Sequence, residues 1–378
     1  MKTTGDQQLV KRINRSVLVR LLRSQPSLSR AQLAQTSGLT KSTVSLLVRE
    51  LLDEGWLTET DATAAPGLGR PSTPLQIDGR VRGLIGVEVA VETLRVVCVS
   101  LLGEVLNSLE VPLSGTKPAE VCKQAAGLVA RSHATLIQRG MQLCGVGICL
   151  PGAFDEATGM LRFAPNLGWR NVDFVPQITR ALAKAGVPEV PVHVQNEADT
   201  AALSEYEFSE SDANNSLIFV SCGVGVGAGI VLNDRLFTGA QGMAGEIGHS
   251  ILQIDGPLCS CGRKGCAETF FGTRVLDKLA DPGQGGHYLG VVLQNLWTTF
   301  NPSMLVVGGP SCHRYPAIVQ VAQNTLQAYA TSAGMPAPAV RAARYGLLAS
   351  AVGAAALVLH HELRPMHSRT AATNTITI

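Results

Sequence analysis

Hydrophobic positions near the start of the chain recur with the spacing of α-helices and stop at helix-breaking residues. Apolar residues return every three or four positions between residues 8 and 22, and Gln25-Pro26 ends this first predicted helix. Ser29 is a predicted N-cap for a second helix over residues 30–37, and Gly38 follows as its terminator. Thr40 caps a third predicted helix over residues 41–54. Two helices joined by a short glycine-containing turn are typical of a helix-turn-helix.

Two short predicted strands, over residues 56–59 and 75–77, follow the third helix. They bracket a loop rich in Gly and Pro, residues 64–71, that we interpret as a wing. Residues 1–80 are therefore predicted to form a winged helix-turn-helix domain, with the wing and linker over residues 58–80. The alternative is a three-helix module that binds another protein. The candidate DNA contacts are the polar residues expected on the exposed face of the domain: Arg30, Lys41, Ser42, Thr43, Ser45, Arg49 and Arg70.

Arg70 lies between a glycine and a proline, in a segment that favours extended backbone. An arginine presented in this way can enter a narrow minor groove. A phosphate contact or an interdomain contact is the alternative role.

The rest of the chain predicts an α/β fold built from two similar sets of elements. Strand-like apolar runs occupy residues 84–89, 94–100, 105–112 and 144–150, and a helical stretch precedes the last of them. A second set of strands is predicted over residues 218–221, 225–232 and 303–307. Two sets of strands and helices in one chain indicate two duplicated lobes with a cleft between them.

Charge and hydropathy exclude some classes of protein and favour others. Among 378 residues, the first 80 hold 11 Lys+Arg and 7 Asp+Glu, and the remainder holds 20 and 22. A basic head on a mildly acidic body favours a polyanionic partner for the head. The longest nearly apolar run, residues 346–359, is shorter than the ~20 residues that span a bilayer. The start of the chain has no apolar signal-peptide core, so a cytoplasmic protein without a membrane partner is expected.

Four metal-ligating residues occur close together in a Gly-rich segment. The spacing H-x9-C-x-C-x4-C brings together His249, Cys259, Cys261 and Cys266. Three thiolates and one imidazole would complete a closed tetrahedral Zn²⁺ shell, which is typical of a structural site. The alternative is three free cysteines in a loop. The remaining cysteines lie mostly in apolar runs and are interpreted as core residues: Cys98, Cys122, Cys144, Cys149, Cys222 and Cys312.

Four segments of the body resemble the ROK family, which contains repressors, uncharacterised reading frames and sugar kinases. These segments are APNLGW at residues 164–169, QNEAD at 195–199, GEIGH at 245–249 and CSCGRKGCAE at 259–268. With the predicted head, the chain is most similar to the helix-turn-helix repressor branch of that family. The resemblance implies an actin-like, RNase-H-like fold with a sugar in the cleft. Lobe 1 is predicted over residues 81–195 and 346–363, and lobe 2 over 196–345. Residues 364–378 lack hydrophobic periodicity and are predicted to be a disordered tail.

The resemblance also implies which residues face the sugar. Polar side chains at the matching positions are Asn166, Asn196, Glu197, Glu246, His249 and Glu268. His249 would serve twice, with one ring nitrogen on zinc and the other side of the ring toward the sugar. The alternative for each carboxylate is an ordinary solvated surface residue.

Three features of ROK kinases are changed on the nucleotide side of the predicted cleft. The segment over residues 88–93, where the family has a glycine-rich phosphate loop, contains no glycine. Asn196 is followed by Glu197 where kinases have the aspartate base, and Val224 replaces the threonine of a Gly-Thr-Gly loop. We therefore predict a sugar sensor that has lost catalysis. The alternatives are an active ATP-dependent sugar kinase with an added head, and a DNA-bound scaffold that docks another protein.

The predicted partners are a palindromic double-stranded operator, a sugar effector and further copies of the chain, as a homodimer or homotetramer. The sugar could act as inducer or corepressor. The segment between Glu268 and Asn301 is shorter than in family members, and residues 281–286 are interpreted as a loop that replaces a helix pair.

Overall fold

The protein is described from a computed structural model that covers residues 7–61, 73–156, 158–209 and 216–364. The predicted wing with Arg70 and residues 365–378 of the predicted tail lie outside the described residues. Within the described part of the chain, every helix is too short or too polar to cross a lipid bilayer.

The head contains three helices and a small antiparallel sheet in the order β1-β3-β2. Ser29 accepts a hydrogen bond from the Gln32 backbone in a capping box, and Gly38 ends the second helix with φ 71°. Thr40 caps the third helix in the same way. The predicted helix-turn-helix is therefore confirmed. Its elements are α1 Gln7–Ser24, β1 Leu28–Ser29, α2 Arg30–Ser37, α3 Lys41–Asp53, β2 Leu57–Glu59 and β3 Pro74–Ile77.

The first lobe of the body is a five-stranded sheet flanked by helices, with a small antiparallel sheet at its cleft edge. The main sheet has the order β11-β7-β4-β5-β6, and β8, β9 and β10 form the small sheet. The elements of this region are β4 Arg82–Val89, β5 Thr93–Ser100, β6 Val105–Pro112, α4 Pro118–Gln138, β7 Gln142–Leu150, β8 Ala153–Asp155, β9 Met160–Ala164, β10 Trp169–Asp173, α5 Phe174–Lys184 and β11 Val192–Asn196.

The second lobe has a five-stranded sheet in the order β14-β13-β12-β15-β16. Its elements are α6 Glu197–Glu207, β12 Ser216–Cys222, β13 Val226–Leu232, β14 Arg235–Leu236, α7 Glu268–Phe271, α8 Thr273–Leu276, α9 Gly283–Phe300, β15 Met304–Gly308, α10 Pro310–Arg314, α11 Ala317–Ser332 and β16 Ala339–Ala342. The last helix, α12 Ala349–Glu362, returns to the first lobe and packs on its main sheet.

The two sheets repeat one topology. In each, three consecutive antiparallel strands are extended by two parallel strands on the side of the first. This repeat confirms the predicted duplication and the actin-like α/β fold.

Helix α6 is clamped between β13 and α12. A Cβ on Gly229 of β13 would lie 2.1 Å from the Ala198 carbonyl oxygen, and one on Gly353 of α12 would lie 1.7 Å from the Thr200 carbonyl oxygen. Both positions therefore require glycine for the backbones to approach. Because α12 also packs on β4, β7 and β11, the two helices join the lobes.

Two sequence interpretations are wrong in detail. Residues 283–286 are the first turn of the 18-residue helix α9, so only the start of the segment 281–286 is a loop. Gly286 and Gly290 lie where a Cβ would meet the Ile318 and Ala322 carbonyl oxygens of α11 at 2.8 and 2.9 Å, so these glycines serve close helix packing. Arg364, assigned to the disordered tail, is buried at 6% exposure because it forms an ion pair with Glu207.

Head and body share one continuous hydrophobic cluster. It includes Leu18 and Leu47 of the head with Leu84 and Phe208 of the body. Arg82 strengthens the junction, because its Nε donates to the Glu54 carbonyl at 2.6 Å and its guanidinium lies over the Trp56 ring.

Candidate functional site

The exposed face of α3 is the candidate nucleic-acid interface. The apolar stripe of this helix is buried, and the predicted contacts Lys41, Ser42, Ser45 and Arg49 are exposed. The Thr43 hydroxyl lies 2.8 Å from Thr40 Oγ1, so it already has a hydrogen-bond partner within the head. An N-terminal helix turn with short hydroxyl side chains suits close approach to a phosphate backbone.

Two further observations modify the predicted interface. Arg30 pairs with Glu59 at 2.7 Å, so contact with DNA would require it to exchange this partner. Leu46, which the sequence analysis missed, is 56% exposed on α3 between polar neighbours. An exposed leucine on a helix of this kind can contact a thymine methyl group.

The four predicted metal ligands converge in lobe 2. The ligand atoms of His249, Cys259, Cys261 and Cys266 all lie within 4.8 Å of one another. The Sγ atoms of Cys261 and Cys266 are 3.7 Å apart, and Cys259 Sγ is 3.6 Å from His249 Nδ1. Tetrahedral zinc at ordinary bond lengths separates two sulfurs by about 3.8 Å and a sulfur from a nitrogen by about 3.6 Å. The residues therefore fit a zinc ion.

The local fold prepares this shell. Gly265 has φ 71°, and a Cβ there would lie 1.6 Å from the Gln253 carbonyl oxygen, so the loop can close only with glycine. Burial would raise the pKa of the Cys261 thiol, but hydrogen bonds from the Arg263 backbone and guanidinium lower it to about 6. A thiol with this pKa is largely a thiolate at neutral pH, which is the form that binds metal.

The metal loop and the predicted sugar carboxylates form one unit. Glu246 precedes the 3₁₀ turn Ile247–His249, His249 is the last residue of that turn, and Glu268 begins α7 directly after the loop. Glu268 Oε1 accepts hydrogen bonds from Cys259 Sγ at 3.1 Å and Ser260 Oγ at 3.2 Å. Burial raises the pKa of Glu246, and Glu268 adds to the effect while His249 opposes it. These three side chains therefore share one electrostatic environment.

Two further carboxylates, Glu197 and Asp199, lie in the first turn of α6. We call these two residues, together with Glu246 and Glu268, the carboxylate wall. Burial, with help from Glu88 and Glu246, raises the pKa of Glu197 to about 7. Asp199, missed by the sequence analysis, is 3% exposed, and its Oδ1 has no hydrogen-bond partner among the described residues. Burial and Glu246 raise the pKa of Asp199 well above its usual value. Because these carboxyl groups are buried near one another, ionisation of one makes ionisation of the next less favourable. Sugar hydroxyl groups that donate hydrogen bonds would stabilise the ionised carboxylates.

The two asparagines are placed by lobe 1. Asn196 Oδ1 caps α6, and its Nδ2 donates to the Gly152 carbonyl at 2.9 Å. Gly152 packs on the end of β9, since a Cβ there would lie 2.0 Å from the Phe163 carbonyl oxygen. Asn166 follows in the exposed turn Pro165–Leu167. The structure therefore leaves Asn166 exposed on lobe 1, and no hydrogen bond among the described residues joins it to the carboxylates.

The segments that correspond to the phosphate-binding loops of ROK kinases differ from a phosphate cradle. Glu88 is buried at the end of β4 and forms an ion pair with Arg95, which also binds Glu110 at 2.8 Å. The turn after β4 closes as a tight hairpin, with the Ala90 backbone N–H donating to the Thr93 carbonyl at 2.9 Å. Val224, 44% exposed, occupies the tip of the loop between β12 and β13. Arg95 is thus held by two carboxylates.

The chain combines a helix-turn-helix head with two duplicated lobes, and a Cys/His loop lies beside the carboxylate wall. Together these features define a regulator built on a sugar-kinase scaffold. The sequence model of the ROK family matches residues 84–285, and that of the IclR helix-turn-helix domain matches residues 16–61. The chain belongs to the ROK family.

Named relatives include regulators and kinases. The chain is 28% identical to the xylose repressor of Bacillus subtilis over 387 residues, covering 95% of this chain and 98% of that protein. It is 27% identical over 274 residues to the DNA-binding transcriptional dual regulator NagC of Escherichia coli, covering 72% of this chain and 66% of that protein.

Solved structures with a similar fold also include a transcriptional regulator and a sugar kinase. A ROK family transcriptional regulator, a homolog of the E. coli MLC protein, aligns over 95% of this chain and 98% of its own, with TM-score 0.75 and 23% identity. A ROK family glucokinase from Streptomyces griseus, solved with glucose and AMPPNP, aligns over 73% of this chain and 98% of its own, with TM-score 0.61 and 24% identity. At these identities the likeness supports the fold alone.

Proposed function

We propose that the protein is a sugar-responsive transcriptional repressor. The observation that carries this proposal is one hydrophobic cluster that joins the buried face of the exposed helix α3 to α6, the helix that begins at the buried Glu197. The full-length similarity to xylose repressors supports it. A repressor works where the chromosome is, so the proposal also places the chain in the cytoplasm.

The effector in this proposal is an uncharged sugar. Crowding and burial raise the pKa of Glu197 and of Glu246, so further negative charge is unfavourable beside these carboxyl groups. A phosphorylated or acidic sugar would add negative charge to this set, so neutral hydroxyl donors are favoured.

In the proposal zinc is structural. His249, Cys259, Cys261 and Cys266 would hold it in a closed shell, and the bound ion would fix the loop that positions Glu246 and Glu268. The hydrogen bond from Ser260, which lies between two of the ligands, to Glu268, and the start of α7 at Glu268 directly after the loop, support this coupling.

We also propose that the cleft has no kinase activity and that the chain acts as a homo-oligomer on a palindromic operator. The buried Glu88–Arg95 pair and the exposed Val224 support the first statement. In a homo-oligomer, two recognition helices would bind half-sites about 10 bp apart, or a multiple of that. The two-fold symmetry of the protein would then match a palindromic operator.

The experiment is a binding titration of the zinc-loaded full chain on an operator selected from random duplexes. Operator affinity is measured with and without D-xylose, D-glucose, N-acetyl-D-glucosamine and glucose 6-phosphate. The proposal predicts that one neutral sugar changes operator affinity at least fivefold, an ordinary allosteric coupling, and that glucose 6-phosphate does not. Unchanged affinity with every sugar would favour a scaffold that responds to a protein partner.

A further inference from the structure

Helix α6 connects the sugar site to the DNA-binding head. Its first residue, Glu197, belongs to the carboxylate wall, and Asn196 caps it there. Its last residue, Glu207, lies at the other end, about 15 Å away at the usual helical rise. Because Gly229 and Gly353 allow backbone contact on both sides, α6 has little freedom to bend independently of the lobes.

Glu207 is an unusual residue for the end of a buried helix. Its side chain has no solvent exposure, and it lies at the negative end of the helix dipole. Three cationic or polar partners surround it: Arg364, His360 at 2.7 Å, and Arg23. Burial alone would raise the pKa of Glu207, but Arg364 and Arg23 hold it well below its usual range. The carboxylate is therefore charged.

One of these partners comes from the head. Arg23 lies in the last turn of α1 and donates to Glu207 Oε2, while Arg364 and His360 bind Oε1 from the body. Arg20, one turn earlier on α1, pairs with Asp234 in the turn between β13 and β14. Both arginines thus attach one face of α1 to the corner of lobe 2 where α6 ends.

The arrangement allows the Arg23–Glu207 ion pair to open without leaving Glu207 unpaired. A buried carboxylate that loses its only cation is strongly destabilised. Glu207 would keep Arg364 and His360 if α1 moved away, and Arg23, on a partly exposed side chain, would gain water. The bond between α1 and α6 can therefore differ between two states without leaving an unpaired buried charge.

We infer that the Arg23–Glu207 ion pair is the contact through which α6 reports sugar binding in the cleft to the DNA-binding head. In this role Arg23 and Glu207 are positioning residues, and neither touches sugar or DNA. The inference rests on the proposed function and specifies its regulation. A displacement of the α6 N-terminus on sugar binding would move Glu207, break or strain its bond to Arg23, and so change the orientation of α1.

The test compares Arg23→Ala with Arg23→Lys and with the matched control Lys11→Ala. Lys11 is on the same helix and also carries one positive charge, but its ion pair, with Glu50 at 2.8 Å, stays within the head. For each protein, operator affinity is measured with and without a neutral sugar that binds, chosen from D-xylose, D-glucose and N-acetyl-D-glucosamine. Zinc content and sugar affinity without DNA are measured in parallel.

The inference predicts that Arg23→Ala keeps sugar affinity and zinc but reduces the sugar-dependent ratio of operator affinities at least about fivefold, toward one. Arg23→Lys restores much of the ratio, and Lys11→Ala has the wild-type ratio. A purely structural role would lower thermal stability without this selective loss. An Arg23→Ala protein with the wild-type ratio overturns the inference and leaves the proposed function intact.

Hydrogen exchange in residues 7–24 separates the two failures. If the wild-type ratio is one for every sugar that binds, the proposed function fails. The inference is then tested by hydrogen exchange alone. It predicts that sugar binding changes the exchange rate of α1 in the wild type and leaves it unchanged in Arg23→Ala. If no sugar alters the exchange rate of wild-type α1, the inference is overturned.

Discussion

The Cys/His loop with the start of α6 and the end of β4 differ in how their charged groups are paired. Glu246 and Glu268 are attached to the compact Cys/His loop, and Glu197 begins a clamped helix; none of the three forms an arginine pair among the described residues. At the end of β4, the segment that corresponds to the phosphate loop of ROK kinases, Glu88 and Arg95 form an ion pair. Carboxyl groups that stay available can accept hydrogen bonds from a ligand, whereas groups that pair internally cannot, and the proposed sensor rests on this contrast.

The largest expected effect comes from the loop that supports the sugar wall. Cys266→Ser should lose bound zinc and abolish measurable sugar binding, because the fixed position of Glu246 and Glu268 depends on the closed shell. Metal analysis and a thermal-shift titration with neutral sugars check this. Cys122→Ala, a buried cysteine in lobe 1, is the control and should keep both. Wild-type protein with less than about 0.2 zinc per chain would contradict the structural zinc, since a closed site is filled.

The carboxylates themselves give the next effect. Glu246→Gln should weaken sugar binding about 10- to 100-fold, the usual range for a lost hydrogen bond to a charged acceptor. Calorimetry measures the change, with Glu189→Gln, an exposed acid remote from the loop in sequence, as the control. Equal affinities for the two variants would remove Glu246 from the sugar site.

The DNA face is expected to respond more modestly to a single change. Arg49→Ala should weaken operator binding several-fold and lower the slope of log affinity against log salt by about 1, as expected for one lost phosphate contact. Lys123→Ala on α4 removes one exposed charge from the body and serves as the control. An unchanged salt slope for Arg49→Ala would place that residue outside the interface.

The smallest expected effect is the pH dependence of stability caused by Glu197. Its pKa of about 7 in the folded chain exceeds the ordinary value of about 4.3 in an unfolded chain, so the folded state loses stability as pH rises between these values. The melting temperature of Glu197→Gln minus that of the wild type should therefore be more positive at pH 8 than at pH 5. A difference that stays constant across this range would argue against the shifted pKa.

Local patterns in the sequence predicted most of the fold and part of the site. The caps at Ser29 and Thr40 and the Cys/His spacing were predictable because neighbouring residues determine them. Gly286 was misinterpreted as part of a loop because its role is contact with α11, which is distant in sequence. Arg364 and the partners of Glu207 were missed for the same reason, since 157 positions separate Arg364 from Glu207. The exposed Leu46 could have been found by placing α3 on a helical wheel.

The most direct test of the central claim is a pair of calorimetric titrations of the zinc-loaded full chain, one with neutral sugars and one with Mg-ATP, followed by an ADP-release assay with both. The account predicts saturable binding of a neutral sugar, no binding of Mg-ATP at about 1 mM, and turnover below about 0.1 s⁻¹, well under the 1–10³ s⁻¹ of typical enzymes. Micromolar binding of ATP together with sugar-dependent ADP release above that rate would contradict it.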